Sequence, residues 1–291
     1  MIMEIPAVAA RIGGLVGAEV REVRSAGAQH GWQHFTAILA DGRQAFAKVA
    51  DGDQGPAFEA EARGLRWLAG ARAVPVPGVL GWDARALVLS WVPPGRATPE
   101  AARRFGHELA RMHAAGSDSF GAPWQGFIAS LPLDNTPWPA SRGWAEWYAD
   151  RRILPYLRRA ADAGTLGPRD VRLVESVIER ISQLSGPAEP PSRIHGDCWP
   201  GNVLWSGGRA WLIDPAAHGG HRETDLAMLA LFGVPHLEHV IDGYTATAPL
   251  AGGWRSRIPL HQLHPLLVHV CLFGPGYRDS ALAAARSALS S

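Results

Sequence analysis

The chain has 291 residues, 47% of them hydrophobic and 19% charged, with a formal net charge of +1. That composition suits a soluble globular protein with a real core, and it excludes a global electrostatic pull toward nucleic acid or anionic membrane. No run of about 20 apolar residues exists, and the N-terminus carries Glu4 and Pro6 without a basic region and a long apolar stretch, so neither a spanning helix nor a signal peptide is expected.

Residues 6–16 read as an amphipathic helix, and 18–25 alternate as a strand. AGAQHG (26–31) reads as a turn. Two strands, 34–40 and 44–50, are joined by Asp41-Gly42, a hairpin signal. Residues 56–70 form a helix whose apolar positions Phe58, Ala62, Leu65 and Leu68 keep helical spacing. Two prolines break 74–82, and 86–92 read as a buried strand ended by the Pro-Pro-Gly at 93–95. That break sets the expected boundary between an N-lobe at 1–92 and a C-lobe at 93–291. Beyond it, helices are expected at 99–115, 141–160, 168–184, 222–232, 235–246, 258–272 and 279–289, with an ordered Pro-, Gly- and Trp-rich loop at 116–140. Short strands at 193–195, 202–205 and 210–215 flank a His-Gly-Asp loop, the last two turned by Gly207-Gly208. The fold class expected is α+β: a small sheet-rich lobe and a larger helical lobe with a cleft between them.

The chemistry concentrates in His195–Asp225. Asp197 is followed five residues on by Asn202 and twelve beyond that by Asp214. This is the spacing of a kinase phosphoryl-transfer centre, in which the first aspartate takes the acceptor hydroxyl's proton and the other two hold magnesium on the ATP phosphates. A loop aspartate alone could simply satisfy backbone amides. Asp214 at the end of the apolar strand WLID, with Asn202 at fitting spacing, favours the catalytic reading, and the hard oxygens of the pair suit magnesium. His195 is expected to shape the loop. Asp225, at the start of an apolar helix, is expected to bond nearby backbone amides.

Among 28 basic residues, Lys48 is the only lysine. Compositional bias explains the arginines. It does not explain the exception, because arginine cannot replace a compact ammonium on a thin stem. Lys48 lies in FAKV, the context that places a lysine on ATP phosphates, held by a helix glutamate. Glu59 and Glu61 point to different helix faces, and Glu61, just ahead of the Leu65–Leu68 stripe, is the favoured partner. Gly27 opens the only candidate phosphate loop, which lacks a G-x-G-x-x-G. No Walker A sequence is present. Neither Cys198 nor Cys271 has a Cys-x-x-Cys partner, which speaks for a reducing cytoplasm rather than a disulfide scaffold. His218 and His221 stand three apart without a further ligand at suitable spacing.

These residues resemble the fructosamine (ketosamine) 3-kinase family, related to aminoglycoside and choline kinases. HGD and GN with a downstream IDP belong to that wider group. Trp199 and the run Asp214-Pro215-Ala216, Gly220-His221-Arg222-Glu223, Asp225-Leu226-Ala227-Met228 are the more specific marks. The resemblance implies a protein-kinase-like fold and ATP- and magnesium-dependent phosphorylation of a ketosamine hydroxyl, in deglycation of amines. It implies Asp197 as base, Asn202 and Asp214 as magnesium ligands, Lys48 with Glu61 as phosphate clamp, and Ser90-Trp91-Val92 as adenine hinge. Trp199, His221 and Arg222 are expected near the acceptor. Two alternatives remain: an aminoglycoside or other small-amine kinase of the same fold, and an inactive nucleotide-binding regulator. From residue 215 onward five acidic residues balance five arginines, which does not favour the acidic groove a polycation needs.

Overall fold

The structure, a computed structural model, describes residues 4–29 and 31–290. Helix α1 (Ile5–Val16) leads into strands β1 (Val20–Gln29), β2 (Trp32–Leu39) and β3 (Gln44–Val49). Helix α2 (Gly55–Ala69) follows, then β4 (Val79–Trp82) and β5 (Ala86–Ser90). The five strands form one antiparallel sheet in the order β1-β2-β3-β5-β4.

Strand alternation decides what each face of this sheet does. Ala45, Ala47 and Val49 of β3 join Phe35, Leu39 and Val88 on the face that packs against Val8 and Ile12 of α1. Phe46 points the other way, with Leu87, Leu89 and Trp32, against Phe58, Ala62 and Leu65 of α2. Lys48 shares the parity of Phe46, so the pleat alone turns it toward α2.

The remainder is mostly helical: α3 (Pro99–Ala114), α4 (Trp144–Tyr148), α5 (Leu154–Asp162), α6 (Pro168–Glu179), α7 (Ile181–Leu184), α8 (Glu223–Leu231), α9 (Leu237–Thr247), α10 (Trp254–Phe273) and α11 (Arg278–Leu289). The α+β layout expected from the sequence is therefore present. Helices α3 and α9 approach backbone to backbone. A Cβ at Gly106 would stand 2.0 Å from the Val240 carbonyl, and one at Gly243 would stand 2.0 Å from that of Arg103.

Several elements differ from expectation. The 116–140 segment is built, not coiled: β6 (Ser119–Phe120) pairs with β9 (Trp138–Pro139), and β7 (Gly126–Ile128) with β8 (Leu131–Leu133). Strands of two or three residues leave no periodicity to read. AGAQHG is mostly strand, since β1 runs to Gln29 and pairs with Trp32. His30, inside that expected turn, lies outside the described residues. Residues 79–82, expected to be broken, form β4, because both prolines precede it. The 141–160 helix starts at Trp144 and carries a π turn at Ala149–Ile153, and the 168–184 helix breaks at Arg180. Helix α10 begins four residues early and holds Pro259 and Pro265 in its interior, where its burial among α5, α8 and α11 overrides their helix-breaking tendency.

Candidate active site

The His-Gly-Asp loop leaves β10 (Ser192–Ile194), and its geometry is fixed by backbone bonds and one glycine. Gly196 takes a φ of +81°, and a Cβ there would lie 2.3 Å from the Ala216 carbonyl oxygen. The His195 ring bonds the Ile213 carbonyl through Nε2 at 2.8 Å, and its Nδ1 accepts the Asp197 N–H at 3.3 Å. Burial holds His195 below its usual pKa range, so the ring is neutral and can accept that bond. Strands β11 (Val203–Ser206) and β12 (Arg209–Leu212) then return the chain to Asp214, which adopts a left-handed φ of 52°. Aspartate tolerates that region better than most residues. Strand β13 (His218–Gly220) follows and pairs with β10.

These turns bring Asp197, Asn202 and Asp214 together with Lys48 and Glu61 in one cleft of about 690 Å³. Lys48 Nζ donates to Glu61 Oε1 and Oε2 at 2.9 and 2.7 Å and to Asp214 Oδ1 at 2.7 Å. Glu61 lies three residues after Phe58 and four before Leu65, on the buried stripe of α2. Glu59 faces outward and pairs with Arg63. Burial alone would discharge Lys48, but the carboxylates of Asp214 and Glu61 outweigh it and hold its pKa above the usual range. Burial likewise works to raise Asp214, and the Lys48 charge beside it brings it below the usual value.

Asn202 Nδ2 donates to the Asp197 carbonyl at 2.9 Å, to Asp197 Oδ2 at 3.0 Å and to the Asp214 carbonyl at 3.4 Å. These bonds fix the amide's orientation, and they leave Oδ1 without a hydrogen bond among the described residues. Burial first, then the neighbouring Asp214 charge, push the Asp197 carboxyl up to about 7, against the pull of its bond from Asn202. A free amide oxygen beside the Asp197 and Asp214 carboxylates is a hard-oxygen donor set of the kind magnesium prefers. The Trp199 ring folds over Gly201, where a Cβ would lie 2.3 Å from it, and lines the same cleft.

The structure does not gather every residue the sequence pointed to. His221 is buried against Trp144 and His261. Arg222 is held by Glu189 through two bonds of 2.7 Å and by the Ala248 and Pro249 carbonyls. Neither lines the cleft: the chain has turned away through β13 before reaching them. Gly27 lies in β1 opposite His34, and Gln29 lines the cleft in its place. Ser90, Trp91 and Val92 also lie outside this cavity. The N–H groups of Ser90 and Trp91 are taken by the Gly78 and Gln44 carbonyls, and that of Val92 has no partner among the described residues.

The cleft gains residues the sequence did not offer. Trp124, Phe127 and Asn135 come from the 116–139 insert and Trp32 from β2. The insert is tied to β13 by two bonds between Gly121 and Gly219, and it reaches α2 through Phe127 and an edge-on contact of Trp124 with Trp67. Asn135 Oδ1 accepts from buried Arg152 at 2.7 Å, and its Nδ2 has no partner among the described residues. The tryptophan-rich composition of 116–140 was the one available signal, and it carried no address.

The fructosamine kinase family model matches residues 12–291. A candidate fructosamine-3-kinase of known structure from Thermobifida fusca is 57% identical and superposes with a TM-score of 0.94, covering 99% of this chain and 100% of its own. A candidate ketoamine kinase of Synechocystis sp. is 35% identical over 255 residues, 84% of this chain and 82% of that protein. The chloroplastic protein-ribulosamine 3-kinase of Arabidopsis thaliana is 31% identical over 242 residues, 78% of this chain and 71% of its own. With the match spanning both the lysine-bearing sheet and the His-Gly-Asp loop, the chain belongs to the fructosamine kinase family.

Proposed function

We propose that this protein transfers the γ-phosphoryl group of ATP to a hydroxyl of a ketosamine, a fructosamine or ribulosamine, and so initiates deglycation of the amine that carries it. The observation that carries the reading is the convergence of Lys48, Glu61, Asp197, Asn202 and Asp214 in one cleft, each from a different element. Phosphoryl transfer asks for positioning and charge compensation more than covalent chemistry. Asp197, in the cleft wall, takes the proton of the attacking hydroxyl. Its raised pKa suits a base that works near neutral pH. Lys48, locked by Glu61, places a permanent positive charge where the α- and β-phosphates lie. Asn202 Oδ1 and the Asp214 carboxylate would hold magnesium, which when bound neutralises phosphate charge. Ser90-Trp91-Val92 serves as the adenine hinge, with the free N–H of Val92 available to the base. Trp199 offers a flat apolar face to the sugar beside Asp197. The working division is an ATP-binding N-lobe at 1–92 and a C-lobe at 93–291.

The test is ADP release with magnesium across fructoselysine, ribuloselysine, an aminoglycoside and choline. Turnover is expected with one or both ketosamines and is expected to fall by about 10³-fold or more in Asp197→Asn, given the typical loss when a catalytic base is removed. A response confined to the aminoglycoside, or wild-type turnover in Asp197→Asn, would overturn the reading.

A further inference from the structure

A row of aromatic rings leaves the active site and runs along the surface. It begins at Trp199, two residues after Asp197 in the cleft wall. The Trp199 ring meets Phe232 edge-on at 6.0 Å, Phe232 meets His269 at 5.3 Å, and His269 meets Phe273 at 5.4 Å and Tyr277 at 4.8 Å. The residues come from three separate places: the catalytic loop, the end of α8, and the end of α10 with the turn after it. Packing of those elements, not local sequence, sets them in line.

Two rings of the row are exposed and the other three, Trp199, His269 and Tyr277, are half-buried. Phe273 is 57% exposed and Phe232 is 38% exposed, two of only four large hydrophobic side chains so exposed among the described residues. Single exposed apolar residues need no explanation, but a contiguous set does. The row also carries no charge of its own. Burial holds His269 below its usual pKa range, and its Nδ1 is bonded to the Pro265 carbonyl at 2.7 Å. Arg278, beside Tyr277, is engaged by Asp170 and Asp279. The rings therefore offer flat apolar faces and edges, and the nearest cation in sequence, Arg278, is already paired.

What covers it follows from where it starts. The reacting hydroxyl of the acceptor lies at Asp197, and the rest of the acceptor must extend away from that point. An isolated dimer patch would have no reason to begin inside the cleft. The ring-to-ring path from Trp199 to Phe273 is no longer than an extended peptide of about five residues at ~3.4 Å each.

Resting on the ketosamine kinase reading above, we propose that the strip Trp199–Phe232–His269–Phe273–Tyr277 is the subsite for the amine carrier. It receives an apolar or aromatic side chain flanking a glycated lysine, so that the enzyme selects peptide-borne ketosamines by their apolar neighbours. Binding there is remote from the transferred phosphoryl and is the same in ground and transition states, so it acts on KM more than on kcat.

The probes are two acetylated pentapeptides with a central fructosyllysine, one flanked by phenylalanines and one by glycines, beside free fructoselysine. The readout is kcat/KM from ADP release. For the wild-type protein the phenylalanine-flanked peptide is expected to exceed the glycine-flanked one by about tenfold, the scale of one well-placed apolar group. In Phe273→Ser, and separately in Tyr277→Ser, that ratio falls toward one. A ratio within one preparation is insensitive to partial misfolding, and Phe273 is exposed enough for serine to be tolerated. A wild-type ratio of one, or a ratio unchanged in both variants, overturns the carrier subsite while free fructoselysine turnover leaves the kinase reading standing. A wild-type ratio of one together with a dimer in sedimentation that dissociates in Phe273→Ser assigns the strip to a second copy of this chain and also overturns it. Failure of the wild-type protein to phosphorylate any of the three compounds is instead a failure of the kinase reading, and the subsite falls with it.

Discussion

The Asp225 carboxylate accepts the backbone N–H of His195 at 2.7 Å, across thirty residues of sequence. The same carboxylate accepts the Gly196 N–H at 3.0 Å and is bonded by His113 Nε2 at 3.0 Å. Asp225 is fully buried, and it sits in the first turn of α8. The position predicted a cap for its own helix. Instead it anchors the loop that carries Asp197. Replacing it with alanine leaves two backbone donors and His113 Nε2 without a partner, a change expected to cost about 3–5 kcal/mol of unfolding free energy. Asp225→Asn keeps an acceptor oxygen and should cost less. Urea denaturation checks the order. An alanine variant within about 0.5 kcal/mol of wild type, the usual size of a surface change, would contradict it.

Lys48→Arg tests why one lysine persists in a chain that otherwise uses arginine. Nζ is enclosed by Glu61 and Asp214 and stands 5.3 Å from the centre of the Trp32 ring, while the residue is 2% exposed. A planar guanidinium does not fit that enclosure without moving α2. The variant is expected to fold, because the charge is kept, but to lose about 10²-fold or more in kcat/KM, the scale of one misplaced electrostatic group. Activity within threefold of wild type would show that charge alone is needed.

The spacing of Asp197, Asn202 and Asp214 was legible because one loop and one hairpin supply all three, and local sequence fixes local geometry. Lys48 was legible for a compositional reason and Glu61 for a helical one. The side wall of the cleft was not. Trp124, Phe127 and Asn135 lie on strands too short for a period, and their place depends on Gly121 meeting Gly219, a contact between backbones that side-chain patterns do not report. His221 and Arg222 adjoin the motif in sequence, but β13 intervenes, neither lines the cleft, and Arg222 is held by Glu189. Strands β2, β3 and β5 read well because their residues alternate between two apolar clusters, whereas β4 was hidden by the prolines just before it.

Acid should destabilise this protein earlier than its carboxylates alone would. His218, His221 and His264 are held well below the usual histidine range, by burial in each case first. Each is neutral when folded and, below about pH 6.5, takes a proton when unfolded. The unfolded state then binds more protons, so this stability is complete above about pH 6.5 and is lost as pH falls below it. His264 is the cleanest case. Its Nε2 has no hydrogen-bond partner among the described residues, and its ring packs against Tyr148 and Tyr156. His264→Leu should therefore flatten the fall in unfolding free energy between pH 6.5 and 5 by up to about 1.4 kcal/mol per pH unit, the value of one proton. An unchanged slope in urea titrations would show that His264 is not titrating on unfolding.

Gly106 and Gly14 make a matched pair for a last test. Both are helical glycines, and propensity alone says that alanine stabilises each by up to about 1 kcal/mol. At Gly14, in α1, an added Cβ meets nothing within 4 Å, so Gly14→Ala should raise stability as propensity expects. At Gly106 the Cβ would meet the Val240 carbonyl at 2.0 Å and the Tyr244 amide at 2.7 Å. Those are backbone atoms of α9 and cannot rotate away, so α3 and α9 must separate. Gly243 faces Arg103 across the same contact, which prevents a compensating slide. Gly106→Ala is expected to lower stability by about 1–3 kcal/mol, the range for overpacking a filled interface. Thermal melts of the two variants should move in opposite directions. If both rise, the close approach of α3 and α9 is not a constraint on this fold.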